Sequence, residues 1–117
     1  MHELSLCQDL LEQLTTLAHR HGARAVSRVE VQAGLLSGVE PQLLETAFLL
    51  AREGTVAAQA ELVMRSAPPR VRCGDCGAEA EAPPGDLACP HCRSLATELI
   101  GGDELILARV ELLQPDT

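Results

Sequence analysis

The chain has 117 residues, 46% of them hydrophobic but only 1% aromatic, with a formal net charge of -8. That length suits one domain with at most a small appendage, packed by Leu, Val, Ile and Ala around Phe48, so a metal staple would help it. The charge disfavours nucleic-acid phosphates, whose binding needs Lys and Arg to release counterions, and no apolar run reaches membrane-spanning length.

From Leu4 to His21 the apolar residues Leu4, Cys7, Leu10, Leu11, Leu14, Leu17 and Ala18 recur at helical spacing, with Gln8, Glu12, Gln13 and Thr16 opposite. The basic last turn "HRH" complements the helix dipole, and Gly22 stops the pattern. In "AVSRVEVQAG" the period changes to two. Val29, Val31 and Ala33 share one face and Arg28, Glu30 and Gln32 the other, which predicts a half-buried strand. After the turn "LLSGVEP", Pro41 opens a second helix that runs to about Glu53, with Leu44, Ala47, Phe48 and Ala51 inward and Gly54 as its stop.

"AELVMRSA" predicts a second strand, and "LILARVEL" a third with Ile106, Ala108, Val110 and Leu112 on one side. Between them, from Pro68 to Gly102, the composition turns to Pro, Gly and Cys, and the segment is expected to close on a flexible "IGGDE". The expected fold is therefore α/β: two helices packed on a small three-stranded sheet, with a zinc-ribbon-like insert before the last strand. Residues 1–67 and 103–117 would form the α/β domain, and 68–102 the insert.

The insert carries two C-x-x-C pairs, Cys73 with Cys76 in "CGDC" and Cys89 with Cys92 in "CPHC". Glycines and a proline make each pair a tight turn, in which two thiolates can face one ion while backbone amides face the sulfurs. Two such turns opposed give a closed four-sulfur site that suits Zn(II). Iron would also accept four thiolates, and a redox pair or two disulfides are the alternatives. The start shows no basic segment followed by an apolar core, because Glu3 and Asp9 interrupt it, so reduced thiols and a cytoplasmic location are expected. Arg70, Arg72 and Arg93 are outnumbered in the insert by Asp75, Glu79, Glu81, Asp86 and Glu98, unlike a ribbon that reads nucleic acid. Cys7, on the inner face of the first helix, reads as a small buried hydrophobe, and His91 as an exposed loop histidine.

The opening "MHEL" holds a second possible metal site. A terminal amine, the amides of His2 and Glu3, and the His2 imidazole can close adjacent chelate rings. Ni(II) and Cu(II) displace amide protons and favour planar nitrogen coordination more readily than Zn(II) does. The positive end of the helix dipole opposes a cation there, so deprotonated amides or the Glu3 carboxylate must offset it.

Taken in order, "MHEL", two helices and three strands, "CGDC" and "CPHC" in an insert, then "GGDEL", the chain resembles the HypA/HybF family of hydrogenase maturation nickel metallochaperones. The resemblance implies nickel at Met1, His2 and Glu3, with Glu40 before the second helix as an assisting acid, and zinc at Cys73, Cys76, Cys89 and Cys92. It implies Ni(II) as cargo, Zn(II) as the structural ion, and no catalysis. Its implied partners are a nickel-insertion GTPase of the HypB type and the large subunit of [NiFe]-hydrogenase, or in some organisms urease, with no nucleic acid and no membrane. The residues alone also admit a zinc-ribbon scaffold that carries no nickel, or a thiol oxidoreductase.

Overall fold

A computed structural model describes residues 2–115. In chain order it has helix α1 (His2–Arg20), strand β1 (Ala25–Gly34), helix α2 (Pro41–Ala51) and strands β2 (Glu61–Ala67), β3 (Arg70–Cys73), β4 (Glu79–Glu81), β5 (Thr97–Gly101) and β6 (Leu105–Leu113). The strands form two three-stranded sheets, ordered β2-β1-β6 and β4-β3-β5. Two compact units result: Met1–Val31, Val39–Arg65 and Ile106–Thr117 make the first, Gln32–Gly38 and Ser66–Leu105 the second.

In the first unit β1 is the central strand, and Val26, Val29 and Val31 along it are fully buried. Leu10, Leu11, Leu14 and Ala18 from α1 and Leu44 and Phe48 from α2 complete this core. Burial of each such aliphatic side chain is worth about 1.5–3 kcal/mol, so the core rests on many small contributions and one ring. Pro41 at the first turn of α2 fixes the backbone where a missing N–H does no harm. The ion pairs Arg28–Glu61 and Arg65–Glu30 join residues that advance together along β1 and β2, so these two strands run parallel across the α2 crossover.

The two helices also run parallel. The Cys7 thiol lies 3.4 Å from the Leu44 carbonyl, and further along, Leu11 and Thr15 share a groove with Ala51. Burial raises the Cys7 thiol pKa, as does the Glu3 charge one turn away, in keeping with its place as a core residue. The N-terminal turns of α1 and α2 therefore lie at the same end of the helix pair.

Two predicted faces need correction. Ile106 and Ala108 are exposed, Ile106 by 40%, although Val110 and Leu112 are half-buried as their phase requires. In the first half of β6 it is Leu105 and Leu107 that are half-buried, and the predicted face is covered only from Val110 on, where the ion pairs Arg109–Glu30 and Arg28–Glu111 mark the polar side. Cover thus changes face along β6, an edge strand with a neighbour on one side only. Leu4 is likewise 39% exposed, one turn from the helix start. The second helix ends at Ala51 rather than Glu53.

The second unit contains a sheet that the composition of this segment hides. Its strands are three to five residues long. β3 pairs antiparallel with both neighbours, Val71 facing Ala80 on one side and Leu99 on the other. The "IGGDE" stretch also differs from expectation: Gly101 ends β5, and Gly102 is wedged among backbone atoms. A Cβ on Gly102 would lie 2.5 Å from Pro69 Cα, and one on Gly34 would lie 2.2 Å from the Gly102 carbonyl oxygen. Gly34→Ala should therefore destabilise the protein by about 1–3 kcal/mol in chemical denaturation, since backbone must shift to admit the methyl. Gly85→Ala, where the added methyl meets nothing within 4 Å, should stay within about 0.5 kcal/mol of the parent.

Candidate metal centre

The two cysteine turns are built alike. In the first, the Cys73 amide donates to the Ala78 carbonyl at 2.9 Å and the Gly77 amide to the Cys73 carbonyl at 3.0 Å. In the second, the Cys89 amide donates to the Ser94 carbonyl at 2.9 Å and the Arg93 amide to the Cys89 carbonyl at 2.8 Å. Each turn closes on a residue with positive φ, Gly77 at 75° and Arg93 at 63°. Glycine adopts that backbone freely and arginine does not. Arg93 is tied there by a 2.6 Å ion pair to Asp86, whose other carboxylate oxygen accepts the Ala88 amide. The Arg93 bond and then the Ala88 amide lower the Asp86 pKa.

The sulfurs of all four cysteines lie within 4.8 Å of one another. They meet crosswise, Cys73 with Cys92 and Cys76 with Cys89, each pair 3.6 Å apart. Tetrahedral thiolates on Zn(II) at about 2.3 Å stand about 3.8 Å apart, so the set fits that ion with little movement. A disulfide needs about 2.05 Å, and all five cysteines are free. Cys73 and Cys89 are buried while Cys76 and Cys92 are exposed, which leaves a way in for a metal. The Ser94 hydroxyl, hydrogen-bonded to the Asp75 carboxylate, ties one turn to the other. The sequence patterns did not reveal this clasp, because its residues are polar loop residues with no spacing rule.

Within this set the protons divide unevenly. The Cys73 thiol is held at about 6, chiefly because the Cys76 amide donates to its sulfur, with the Asp75 amide adding to it and burial opposing. Cys89 is lowered in the same way, first by the Cys92 amide and, against burial, by the His91 amide. Cys92 is pushed up to about 12: the Ser94 amide favours its thiolate, but proton sharing with Cys73 and burial outweigh it. Cys76 is raised too, the Ala78 amide being outweighed by Cys89. Each turn thus offers one ready thiolate and one proton-holding thiol, and each thiolate faces the thiol of the other turn. Arg72, bonded to Glu79 at 3.1 Å and near Glu98 at 3.8 Å, and Arg93, bonded to Asp86, have their charges engaged by carboxylates.

The expected nickel residues are placed less fully. Met1 and the His2 side chain lie outside the described residues. Glu3 is half-buried in the first turn of α1. Glu40 is exposed at the N-cap of α2 and makes no side-chain capping bond. The parallel helices bring Glu3 and Glu40 to the same end of the pair. Among the described residues, the four cysteines are the only group of three or more His, Cys, Asp or Glu side chains close enough to share an ion.

Two outcomes test this centre. Cys76→Ala or Cys89→Ala should lose zinc and unfold the second unit, while the helical circular-dichroism signal of α1 and α2 persists, because their core contains no zinc ligand. Zinc added to metal-free protein at about pH 8 should release fewer than four protons, since the Cys73 thiol, held at about 6, has already lost its own and Cys89 is lowered too, while Cys76 and Cys92 are raised and keep theirs. Titration calorimetry in buffers of different ionisation enthalpy reads that number, and a release of four would contradict the division of protons.

Comparison with known proteins agrees with the geometry. A family described as "Hydrogenase/urease nickel incorporation, metallochaperone, hypA" matches residues 1–112. A "Hydrogenase maturation factor HypA" of Aquifex aeolicus is 45% identical over 112 residues, covering 96% of this chain and 97% of that one. The protein of the same name from Nitrosospira multiformis is 42% identical over 113 residues, covering 97% and 98%. The solution structure of the Ni metallochaperone HypA from Helicobacter pylori superposes with a TM-score of 0.76 at 26% identity, covering 97% of this chain and 98% of that one. The chain belongs to the HypA family of nickel-incorporation metallochaperones, and its four clustered cysteines form a site suited to structural zinc.

Proposed function

We propose that this chain binds Ni(II) at its N-terminus and delivers it during maturation of [NiFe]-hydrogenase and, in cells that make it, urease. The observation that carries this reading is the family match, which begins at residue 1 and so includes "MHE". The nickel ligands are the Met1 amine, the His2 amide and imidazole, and the Glu3 amide or carboxylate. The parallel run of α1 and α2 supports Glu40 as a further carboxylate at that end. Its exposed position, with no capping bond, suits a group that swings toward a metal and away again.

The chemistry follows from charge. The N-terminus of α1 has a partial positive charge that opposes a cation, and the carboxylates of Glu3 and Glu40 offset it. A site balanced in this way holds its ion without burying it, as delivery requires. Residues 1–67 and 103–117 then handle nickel and residues 68–102 hold zinc, which stabilises the smaller sheet and takes no part in transfer. The chain performs no catalysis, and nucleotide hydrolysis belongs to a partner GTPase of the HypB type. The recipient is the hydrogenase large subunit. All of this takes place in the cytoplasm, and no helix among the described residues is long and apolar enough to cross a membrane.

The position of the ligands in the chain matters as much as their identity. A few residues added before Met1 turn its amine into an ordinary amide and remove a ligand. Such an extension should weaken nickel binding about as severely as His2→Ala, by at least the roughly 10–100-fold that loss of a mere outer-shell partner brings. Zinc content should be unchanged in both. Tight nickel binding by extended protein in calorimetry would rule out the terminal amine. Nickel affinity of the parent should also fall as pH drops from about 8 to about 6, where amines and imidazoles ordinarily take up protons. Binding flat over that range would exclude an amine–imidazole site.

A further inference from the structure

We propose that the outer groove between α1 and α2, with the leucines of α2 beside it, is a docking surface for a basic amphipathic helix of a partner protein. This deepens the delivery reading and rests on it, since a chain that hands on its metal needs a transient contact with the recipient, and this groove lies further along the helix pair than the metal end.

The groove has a volume of about 680 Å³, with Leu11 and Ala51 among its lining and Gln8, Glu12, Thr15 and Thr16 beside them. Leu50, next to Ala51, is 76% exposed, and Leu43, seven residues earlier on the same helical face, is 56% exposed. Leu49 is 51% exposed as well. One exposed leucine on a surface carries no message, but three on an eleven-residue helix, in a chain this short of core side chains, do. Leu43 and Leu50, two turns apart on one face, have the spacing an amphipathic helix laid in a groove would meet, while Leu49 lies about 100° further round.

The charges select the occupant. Glu12 lines the groove, and Asp9, Glu45 and Glu53 are exposed on the same two helices or just after them. The nearby cations lie at the helix ends: Arg20 closes α1, and Arg52 donates to the Ala60 carbonyl. A second copy of this chain would bring the same acidic residues and a net charge of -8 against them. The exposed leucine area, on the order of 300 Å², also falls short of the roughly 800 Å² per partner of a stable interface. A transient, positively charged partner helix satisfies both conditions.

The test uses the full-length zinc-loaded protein and a synthetic helix of about 18 residues with leucines on one face and lysines flanking them. A control peptide carries glutamates in place of the lysines. The lysine peptide should bind at micromolar concentration, shift the amide resonances of α1 and α2 facing the groove, and weaken at least about 10-fold in about 0.5 M salt. Leu43→Gln combined with Leu50→Gln should weaken it about 10-fold while helicity, zinc content and nickel uptake stay unchanged. Equal binding of the glutamate peptide, or undiminished binding by the double variant, would overturn the proposal. So would sedimentation showing a parent dimer that Leu50→Gln dissolves, which would assign the face to a second copy. If the parent takes up nickel but ignores the lysine peptide, the docking surface is wrong and the delivery reading stands. If it binds the peptide through this groove but takes up no nickel, the docking surface stands and delivery falls.

Discussion

With one phenylalanine in the chain, everything large about the first unit must be assembled from short aliphatic side chains pressed against β1. That constraint explains why β1 is central and why its valines are shielded completely. It also explains why both helices run the same way, since the crossover from β1 through α2 to a parallel β2 fixes one direction for α2 and packing fixes the other. The common end of the helices, where the proposed nickel ligands gather, is thus a by-product of core building. The second unit cannot repeat the solution. Its buried residues are Ala33, Gly34, Pro69, Val71, Ala82 and Ala88 beside two cysteines, too little apolar volume to hold a sheet of such short strands. A metal held by four thiolates supplies what burial does not.

The proposed separation of the two metals follows from ligand chemistry. Four converging sulfurs fill a tetrahedral shell and leave no position for exchange, which is suitable for an ion that must stay. The nitrogen and carboxylate ligands proposed for nickel at the helix terminus would be open on one side and sensitive to protons, which is suitable for an ion that must leave. A chain that kept both ions in similar shells would either lose its scaffold or withhold its cargo.

Much of this was legible in the sequence because the signals were local. The bounds of β1 follow from a period-two run with glycine at its end, and α2 follows from Pro41 and the spacing of Leu44 and Phe48. The cysteine pairs declare a metal site within four residues each. What escaped the sequence depends on partners far along the chain. Strands of three to five residues carry too few alternations to register, so the second sheet stayed hidden. The exposure of Ile106 depends on where a sheet ends, which no periodicity within β6 records. The crosswise meeting of sulfurs, and the Asp75–Ser94 clasp between turns, likewise belong to the assembled unit.

Gly34 and Gly102 have a consequence for how such a chain can vary. At most crowded positions a larger residue can be accommodated by shrinking a neighbouring side chain. Here the crowding atoms are the backbone of Gly102, Asp103, Pro68 and Pro69, which every amino acid carries alike. No second-site substitution can make room, so neither glycine has a compensating partner anywhere in the protein. Drift can rewrite the surrounding loops, but these two positions can change only if three chain segments are rebuilt at once.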